Sequence, residues 1–444
     1  MIGELRNIVG SDFVLDSNID GYLRDESAKG VLTEPCRDVI VVKPASTEEV
    51  SAVMKVAYAN RTPVYPRGGG TGLVGGAVPT KKGIVLSFER MKGIEIDEEN
   101  LMCTAEAGVT LGELLAESER HNLFFPPHPG DEGAQVGGLV ACNAGGSRAV
   151  KYGVMRNYVK GLEVVMTDGA VLRMGGKLLK DNTGYDLMDL FIGSEGTLGM
   201  ITKATLKLYP RPGSSVTLVV PFDSEEEAIG TVSRILRGGI MPLALEYVEN
   251  DWIQASAEHL GLRWPCDGKA QLMMIIAESS EEATYAECEK VSEMLEGKDV
   301  IMAERRQEQD DLLKVRSNIY EALKEHALDT LDVSVPPNSI GKLIEFVHFI
   351  EKEYGTRIPV YGHAADGNLH LHVMDDALER FVDIKRRIYE RALELGGTIT
   401  AEHGIGKART KDMRMFLSPR EIELMQEIKR VFDPYNIINP GTML

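Results

Sequence analysis

The sequence predicts an α+β fold divided into more than one domain, on three observations. Helix and strand signals alternate along the first half without settling into a strict strand–helix–strand repeat. Tyr209-Pro210-Arg211-Pro212-Gly213 then interrupts the pattern with two prolines and a glycine, as a linker does. Beyond it a strand–helix–strand–helix succession restarts, the pattern of a ferredoxin-like sandwich. A length of 444 residues is too great for one ordinary core.

Each element has its own local reason. Ser46-Thr47-Glu48-Glu49 reads as a capping box that opens a helix, with Val50, Val53, Met54 and Ala57 at helical spacing behind it. Pro63 to Pro66 is a short extended run between prolines. Gly83 to Phe88, Leu101 to Glu106, Val159 to Val165 and Gly199 to Leu208 read as strands, and Leu111 to His121 as a helix. After the break, Ser215 to Pro221 is a strand. Ser224 to Arg237 is a helix whose acidic start (Glu225, Glu226, Glu227) suits its dipole. Met273 to Ala277 is a strand, and Ser280 to Leu295 is an amphipathic helix whose Glu-rich face reads as solvated surface. Short helices close the chain. The expected organisation is residues 1–213, 214–405 and a helical segment 406–444 that packs back on the first unit.

Bulk composition removes several classes of function. With 43% hydrophobic and 26% charged residues the chain reads as soluble and globular. A net charge of −19 argues against nucleic acid and against direct binding to an anionic membrane. No run of about eighteen apolar residues offers a membrane span, and the N-terminus lacks the apolar core of a signal peptide. Five scattered cysteines without a CxxC pair suggest reduced thiols and a cytoplasmic setting, and exclude an iron–sulfur cluster held by this chain alone.

Two constellations carry chemistry. The first is glycine-rich: Arg67-Gly68-Gly69-Gly70-Thr71-Gly72 after a strand, then Val136-Gly137-Gly138 to Ala144-Gly145-Gly146, Lys151-Tyr152-Gly153, and Gly193-Ser194-Glu195-Gly196-Thr197-Leu198-Gly199. Converging backbone N–H groups suit a phosphate or pyrophosphate. The first run has neither the P-loop Lys-Ser/Thr nor the helix that a dinucleotide fingerprint needs. Several such loops suit one extended ligand. The second constellation is Gly362-His363-Ala364-Ala365-Asp366-Gly367-Asn368-Leu369-His370-Leu371-His372 with Ala401-Glu402-His403-Gly404-Ile405-Gly406. It holds four of the nine histidines beside a carboxylate, the ligand chemistry of a borderline divalent metal such as zinc. If Leu369 to Val373 is extended, His370 and His372 face away from Leu369, Leu371 and Val373. A bend at Asp366-Gly367 can return His363 to the side of His370.

The runs RGGGTG, VGGLVACNAGG, KYG, GYDLMDLFIGSEGTLG and NPG, in this order, resemble flavoproteins of the vanillyl-alcohol-oxidase/PCMH type. GHxxDGNxH and EHGIG add a resemblance to their D-2-hydroxy-acid dehydrogenase branch, over roughly Pro44 to Gly441. The resemblance implies a PCMH-type FAD-binding domain and a ferredoxin-like cap carrying the substrate and metal sites. It implies that Pro66, Arg67, Gly68, Gly69, Gly70, Thr71 and Gly72 hold the pyrophosphate. Gly138, Ala144, Gly145, Gly146 and Ile201 line the adenine and isoalloxazine path, Asn439 closes it, and Gly153, Glu195 and Gly196 join the cofactor contacts. Some relatives tether the flavin through a His where Thr71 stands; Thr cannot form that bond, so non-covalent FAD is expected. Pro127-His128-Pro129 stands where relatives often have Pro-Asp-Pro, which leaves His128 without a role.

The same resemblance makes His363, His370 and Glu402 the metal ligands (zinc first, manganese or iron as alternatives), His403 the general base and Arg316 the substrate-carboxylate cation. Two His and one Glu leave a coordination position open, as in a catalytic zinc site. His372 and Asn368 are expected to face substrate or to support the ligands. The implied reaction oxidises a small D-2-hydroxy acid, with the ion acidifying the hydroxyl and hydride passing to flavin N5. No Lys closely precedes Asp332, which favours a monocarboxylate such as D-lactate or glycolate. Electrons would leave through an iron–sulfur subunit, an electron-transfer flavoprotein or a quinone, with peripheral membrane association only through such a partner; a homodimer is compatible with the sequence. The alternatives are group transfer of the alkyl-dihydroxyacetonephosphate synthase type and a non-catalytic flavin subunit. The paired histidine motifs argue against both.

Overall fold

The computed structural model describes residues 1–295 and 297–444. In the N-terminal half, Val-Ile-Val-Val at Val39–Val42 and its neighbours build a four-stranded sheet in the order Val14–Leu15, Val39–Val42, Gly83–Ser87, Val64–Arg67. The last three strands run parallel. The helix Thr47–Asn60 lays Val50, Val53, Met54 and Ala57 against Ile84 and Leu86, as its spacing predicts. Its box is only half formed. Ser46 accepts from the Glu49 N–H, but the Glu49 carboxylate takes the Ala45 N–H instead of that of Ser46. A complete box stands at Thr110 and Glu113, opening Leu111–Arg120.

A second, antiparallel sheet follows in the order Ile94–Asp97, Met102–Glu106, Met200–Lys207, Val159–Val165, Val171–Gly175. Helices Leu111–Arg120 and Val136–Cys142 share its core.

The C-terminal half is one antiparallel sheet, seven strands among the described residues. The order is Ile301–Ala303, Ser214–Phe222, Ala270–Glu278, Ala244–Glu249, Val360–His363, Asn368–Met374, Ala327–Ser334. Its first four strands take the order 4-1-3-2 with Glu225–Arg237 and Glu281–Met294 on one face, the expected ferredoxin-like arrangement. The expectation stopped there. Ala244–Glu249 continues by pairing with Val360–His363, so three more strands extend the sheet. Helices Ile340–Tyr354 and Phe381–Glu394 cover them on the same face, in one core.

Pairing register decides what the opposite face carries. One row across the sheet is Glu246, His363, Asn368; the next is Val248, Tyr361, His370, Asp332. Alternation therefore sends Leu369, Leu371 and Val373 into the main core and His370 and His372 to the other side, as predicted.

The last segment returns to the N-terminal half. The Val64 N–H donates to the Ile437 carbonyl at 2.7 Å. Phe432 packs edge-on against Phe191 at 5.4 Å. Buried Lys429 donates to the Thr197 carbonyl at 2.7 Å and to Asp433 at 2.5 Å. Among the described residues, no helix is long and apolar enough to cross a membrane.

Candidate active site

The hairpin Val360–His363 to Asn368–Met374 sets His363 beside His370, their rings edge to face at 5.4 Å. Glu402 arrives from a separate loop. Its Oε1 lies 3.5 Å from His363 Nε2 and 3.6 Å from His370 Nε2. Behind each ring stands a carboxylate. Glu246 accepts from His363 Nδ1 at 2.8 Å, and Asp332 Oδ1 lies 3.5 Å from His370 Nδ1. The two Nε2 atoms thus converge on one oxygen, and the Glu246 bond behind His363 is of the kind that fixes an imidazole ligand on a metal. His370 Nδ1 and His403 Nδ1 are buried on the Asp332 side, 3.5 and 3.9 Å from its oxygens and without a hydrogen-bond partner. The group whose ligand atoms all lie close enough to share an ion is Asp332, His370, Glu402 and His403, and His363 adjoins it through Glu402 Oε1. The residues fit a divalent cation.

Asp332 organises the loop that brings Glu402 and His403. Its Oδ2 accepts the N–H groups of Ala401, Glu402 and His403 at 3.0, 2.8 and 2.8 Å. Burial opposes its charge, but His403, His370 and these bonds hold it well below the usual carboxylate range. Asn368 donates to Asp332 Oδ1 at 2.8 Å and to the Val333 carbonyl. His403 stacks on His370 at 5.1 Å, with Nδ1 3.9 Å from Asp332 and Nε2 3.9 Å from Glu402. Burial lowers its pKa despite the Asp332 charge.

Arg316, near the end of Arg306–Ser317, is buried. It donates to Glu246 at 2.5 Å and lies over the Tyr361 ring at 4.7 Å. Burial would raise the Glu246 carboxyl, yet His363 and Arg316 hold it at about 2. His372 departs from a substrate-facing position. It is fully buried behind Tyr361, bonded to its hydroxyl at 3.0 Å and to Thr330 at 3.2 Å. Burial, with His370 and His403 nearby, pushes it down to about 3, so it is a neutral packing group.

The glycine loops form a contiguous cradle reaching this cluster. A Cβ at Gly68 would touch Gln135 and approach Gly138; one at Gly69 would lie 2.4 Å from the Gly133 carbonyl oxygen. Pro66 packs on Gly196. Gly138 faces open space, and a Cβ at Gly145 would come within 2.8 Å of Glu402 Oε2. Gly145 therefore lies directly against Glu402, and Gly146 against the His128 backbone. Thr71 lies beside Gly69, Gly72 stands next to Asp25, Gly153 turns back on Asn157, and Ile201 is buried in its strand. Narrow backbone-lined approaches with an open side suit an extended phosphate-bearing cofactor.

Two residues expected at the cofactor turn elsewhere. Under Gly70, which has φ +77°, the Arg67 guanidinium folds back to the carbonyls of Arg24 and Gly21 at 2.8 and 2.9 Å. It braces the loop from beneath. The Glu195 carboxylate accepts the Ile405 and Gly406 N–H groups at 2.7 and 2.6 Å, holding the Glu402 loop from the N-terminal half. Asn439 ties Gly76, Glu195 and Lys407 together.

Sequence reasoning missed Glu246, Asp332 and Lys407. The available signal was an acid at an alternating position of an apolar strand, in Leu-Glu-Tyr-Val and Leu-Asp-Val, and a Lys directly after the EHGIG run. His128 lies 3.4 Å from Glu132 and is not brought into the cluster.

The family model described as FAD binding domain matches residues 39–175, and that described as FAD linked oxidases, C-terminal domain, matches 211–443. The chain is 44% identical to a D-lactate dehydrogenase of Archaeoglobus fulgidus over 96% of both chains. It is 37% identical to glycolate oxidase subunit GlcD of Bacillus subtilis, over 91% of this chain and 88% of that one. Among solved structures, p-cresol methylhydroxylase superposes with TM-score 0.79 at 17% identity over 100% of this chain and 96% of that one. An alkyldihydroxyacetonephosphate synthase does so with TM-score 0.76 at 18% identity, over 99% and 85%. These two likenesses concern the fold, and they agree with a PCMH-type domain carrying a cap.

Proposed function

The chain belongs to the family of FAD-linked oxidases, which are oxidoreductases, and on that premise we propose that it oxidises a small D-2-hydroxy acid with the help of a divalent metal ion. D-lactate and glycolate are the favoured substrates, in line with the names of its relatives. The observation that carries the metal is the convergence of His363 Nε2 and His370 Nε2 on Glu402 Oε1, with Glu246 and Asp332 behind them. Zinc suits these nitrogen and oxygen donors. When bound, the ion supplies Lewis-acid lowering of the hydroxyl pKa and FAD supplies a hydride acceptor.

The chain's own groups do the rest. His363, His370 and Glu402 hold the ion. Burial keeps the His403 imidazole neutral, so Nε2 can take the hydroxyl proton, and Asp332 beside Nδ1 stabilises the imidazolium that results. Arg316 has one nitrogen on Glu246 and offers remaining N–H groups to the substrate carboxylate. Tyr361 and His372 close the sheet side of the site. Non-covalent FAD follows from Thr71, and electrons leave through an iron–sulfur protein, an electron-transfer flavoprotein or a quinone.

Anaerobic addition of D-lactate, L-lactate, glycolate and D-2-hydroxyglutarate to the purified holoenzyme tests this. Bleaching of the flavin by D-lactate or glycolate, abolished by chelation, is expected. Failure of every hydroxy acid to bleach it would sink the assignment. His403→Ala should keep flavin and metal but slow reduction by about 10²–10⁴-fold. His363→Ala should lose metal; full occupancy there means the ligand set is wrong.

A further inference from the structure

On the far face of the same sheet, three ligand-bearing side chains converge where two helices meet a strand end. They are Glu225 at the start of Glu225–Arg237, His348 within Ile340–Tyr354, and Glu249 at the end of Ala244–Glu249. Each offers an atom within 4.8 Å of the others. Glu225 Oε2 lies 2.8 Å from His348 Nε2, and Glu249 Oε1 lies 3.7 Å from the same nitrogen.

The far side of the imidazole is already committed. Glu351 Oε2 stands 2.7 Å from His348 Nδ1, and Glu351 Oε1 is itself held by the Ile358 N–H at 2.7 Å. A neutral imidazole with its proton toward Glu351 presents a lone pair at Nε2 to two carboxylates. A doubly protonated ring can donate from Nε2 to Glu225 alone. Either way Glu249 Oε1 is left over, and it is buried with no hydrogen-bond partner. Glu249 is only 8% exposed. Its other oxygen is fixed by the Trp252 indole N–H at 2.6 Å and the Val360 N–H at 3.2 Å, which turns Oε1 toward His348.

We propose that Glu225, Glu249 and His348 form a second divalent-cation site, separate from the histidine cluster around Glu402. Two carboxylate oxygens and one imidazole nitrogen are the donor set of zinc or a similar borderline ion. Glu351 plays toward His348 the part that Glu246 plays toward His363, fixing the tautomer by a carboxylate behind the ring. Tetrahedral bonds near 2.0 Å set ligand atoms about 3.3 Å apart, so Glu225 must draw back from the imidazole and Glu249 must close on it, each by about half an ångström. The ion would be structural, clamping the two helices onto the strand that carries Glu246.

Zinc counting on the chelator-stripped holoprotein tests this, by equilibrium dialysis against Zn²⁺ and elemental analysis. Two equivalents per chain are expected for the unaltered protein, one each for Glu249→Gln, His348→Gln and His370→Ala, and none for the His348→Gln/His370→Ala double variant. Glu225→Gln, at a half-exposed position, should weaken the second equivalent at least tenfold, and it serves if the buried variants do not fold. Anaerobic flavin bleaching should persist in the Glu225 and His348 variants. If the ion near Glu402 is absent but this site is real, the unaltered protein binds one equivalent, lost in Glu249→Gln and kept in His370→Ala. Undiminished zinc in Glu225→Gln, Glu249→Gln and His348→Gln would overturn the proposal.

Discussion

At the scale of single residues, Asp332 shows how much one buried charge can organise. It accepts three consecutive backbone N–H groups and backs His370. Asp332→Asn keeps the shape but replaces an acceptor oxygen by a donor that faces those amides. We expect a loss of about 10–100-fold in metal affinity or in anaerobic reduction rate, read by competition with a zinc chelator and by stopped flow. Lys407 gives a pH prediction. Burial lowers its pKa to about 7, although it donates to Asn439 and Thr442 at 2.9 and 2.6 Å. Unfolded, it titrates near 10.5. Between those values the unfolded chain binds more protons than the folded one, so this group makes stability rise with pH across that window. Lys407→Met should flatten the rise in Tm from about pH 7 to 10 relative to the unaltered protein. A slope unchanged by the substitution would remove Lys407 as its source.

At the scale of elements, the strands Val159–Val165 and Ser214–Phe222 and the helix Glu225–Arg237 were legible within a residue or so. Alternation, apolar spacing and capping residues are local signals, and local hydrogen bonding answers them. The placement of His363, His370 and His372 on one side of a hairpin was legible for the same reason. What was not legible is long-range. Glu246 meets His363 only because Ala244–Glu249 pairs with Val360–His363 more than a hundred residues on, and no local pattern specifies that partner. The directions of the Glu195 and Arg67 side chains were not legible, because a motif fixes where the backbone runs, not which way a long side chain turns. The Glu402 loop also makes an element-scale prediction. Gly404 has φ +86°, and a Cβ there would lie 2.8 Å from Glu195 Oε1. Gly404→Ala should therefore cost about 1–3 kcal/mol, measured by urea unfolding, and should weaken substrate-driven bleaching.

At the scale of the whole molecule, the two halves touch through ion pairs, through the packing of Phe124 and Tyr152 on Leu243, Ala244, Ile275 and Ala277, and through the active-site loop. Lys29 meets Asp375 at 2.8 Å, and Lys151 meets Glu278 at 2.8 Å. The Lys29 pair is exposed on both sides and contributes little, so Lys29→Ala should change stability by less than about 1 kcal/mol in the same unfolding measurement. The loop from Thr400 to Gly406 is different. It forms no regular structure, and its amides are taken by Asp332 from the seven-stranded sheet and by Glu195 from the glycine-rich half. Neither carboxylate alone accounts for its path. This bears on recombination. A chimera that joins one relative's flavin-binding half to another's sheet inherits a working loop only if both anchoring carboxylates come with compatible spacing. The crossover point that best preserves catalysis is thus set less by the Pro210–Gly213 linker than by whether Glu195, Asp332 and the segment between Thr400 and Gly406 travel as a matched set.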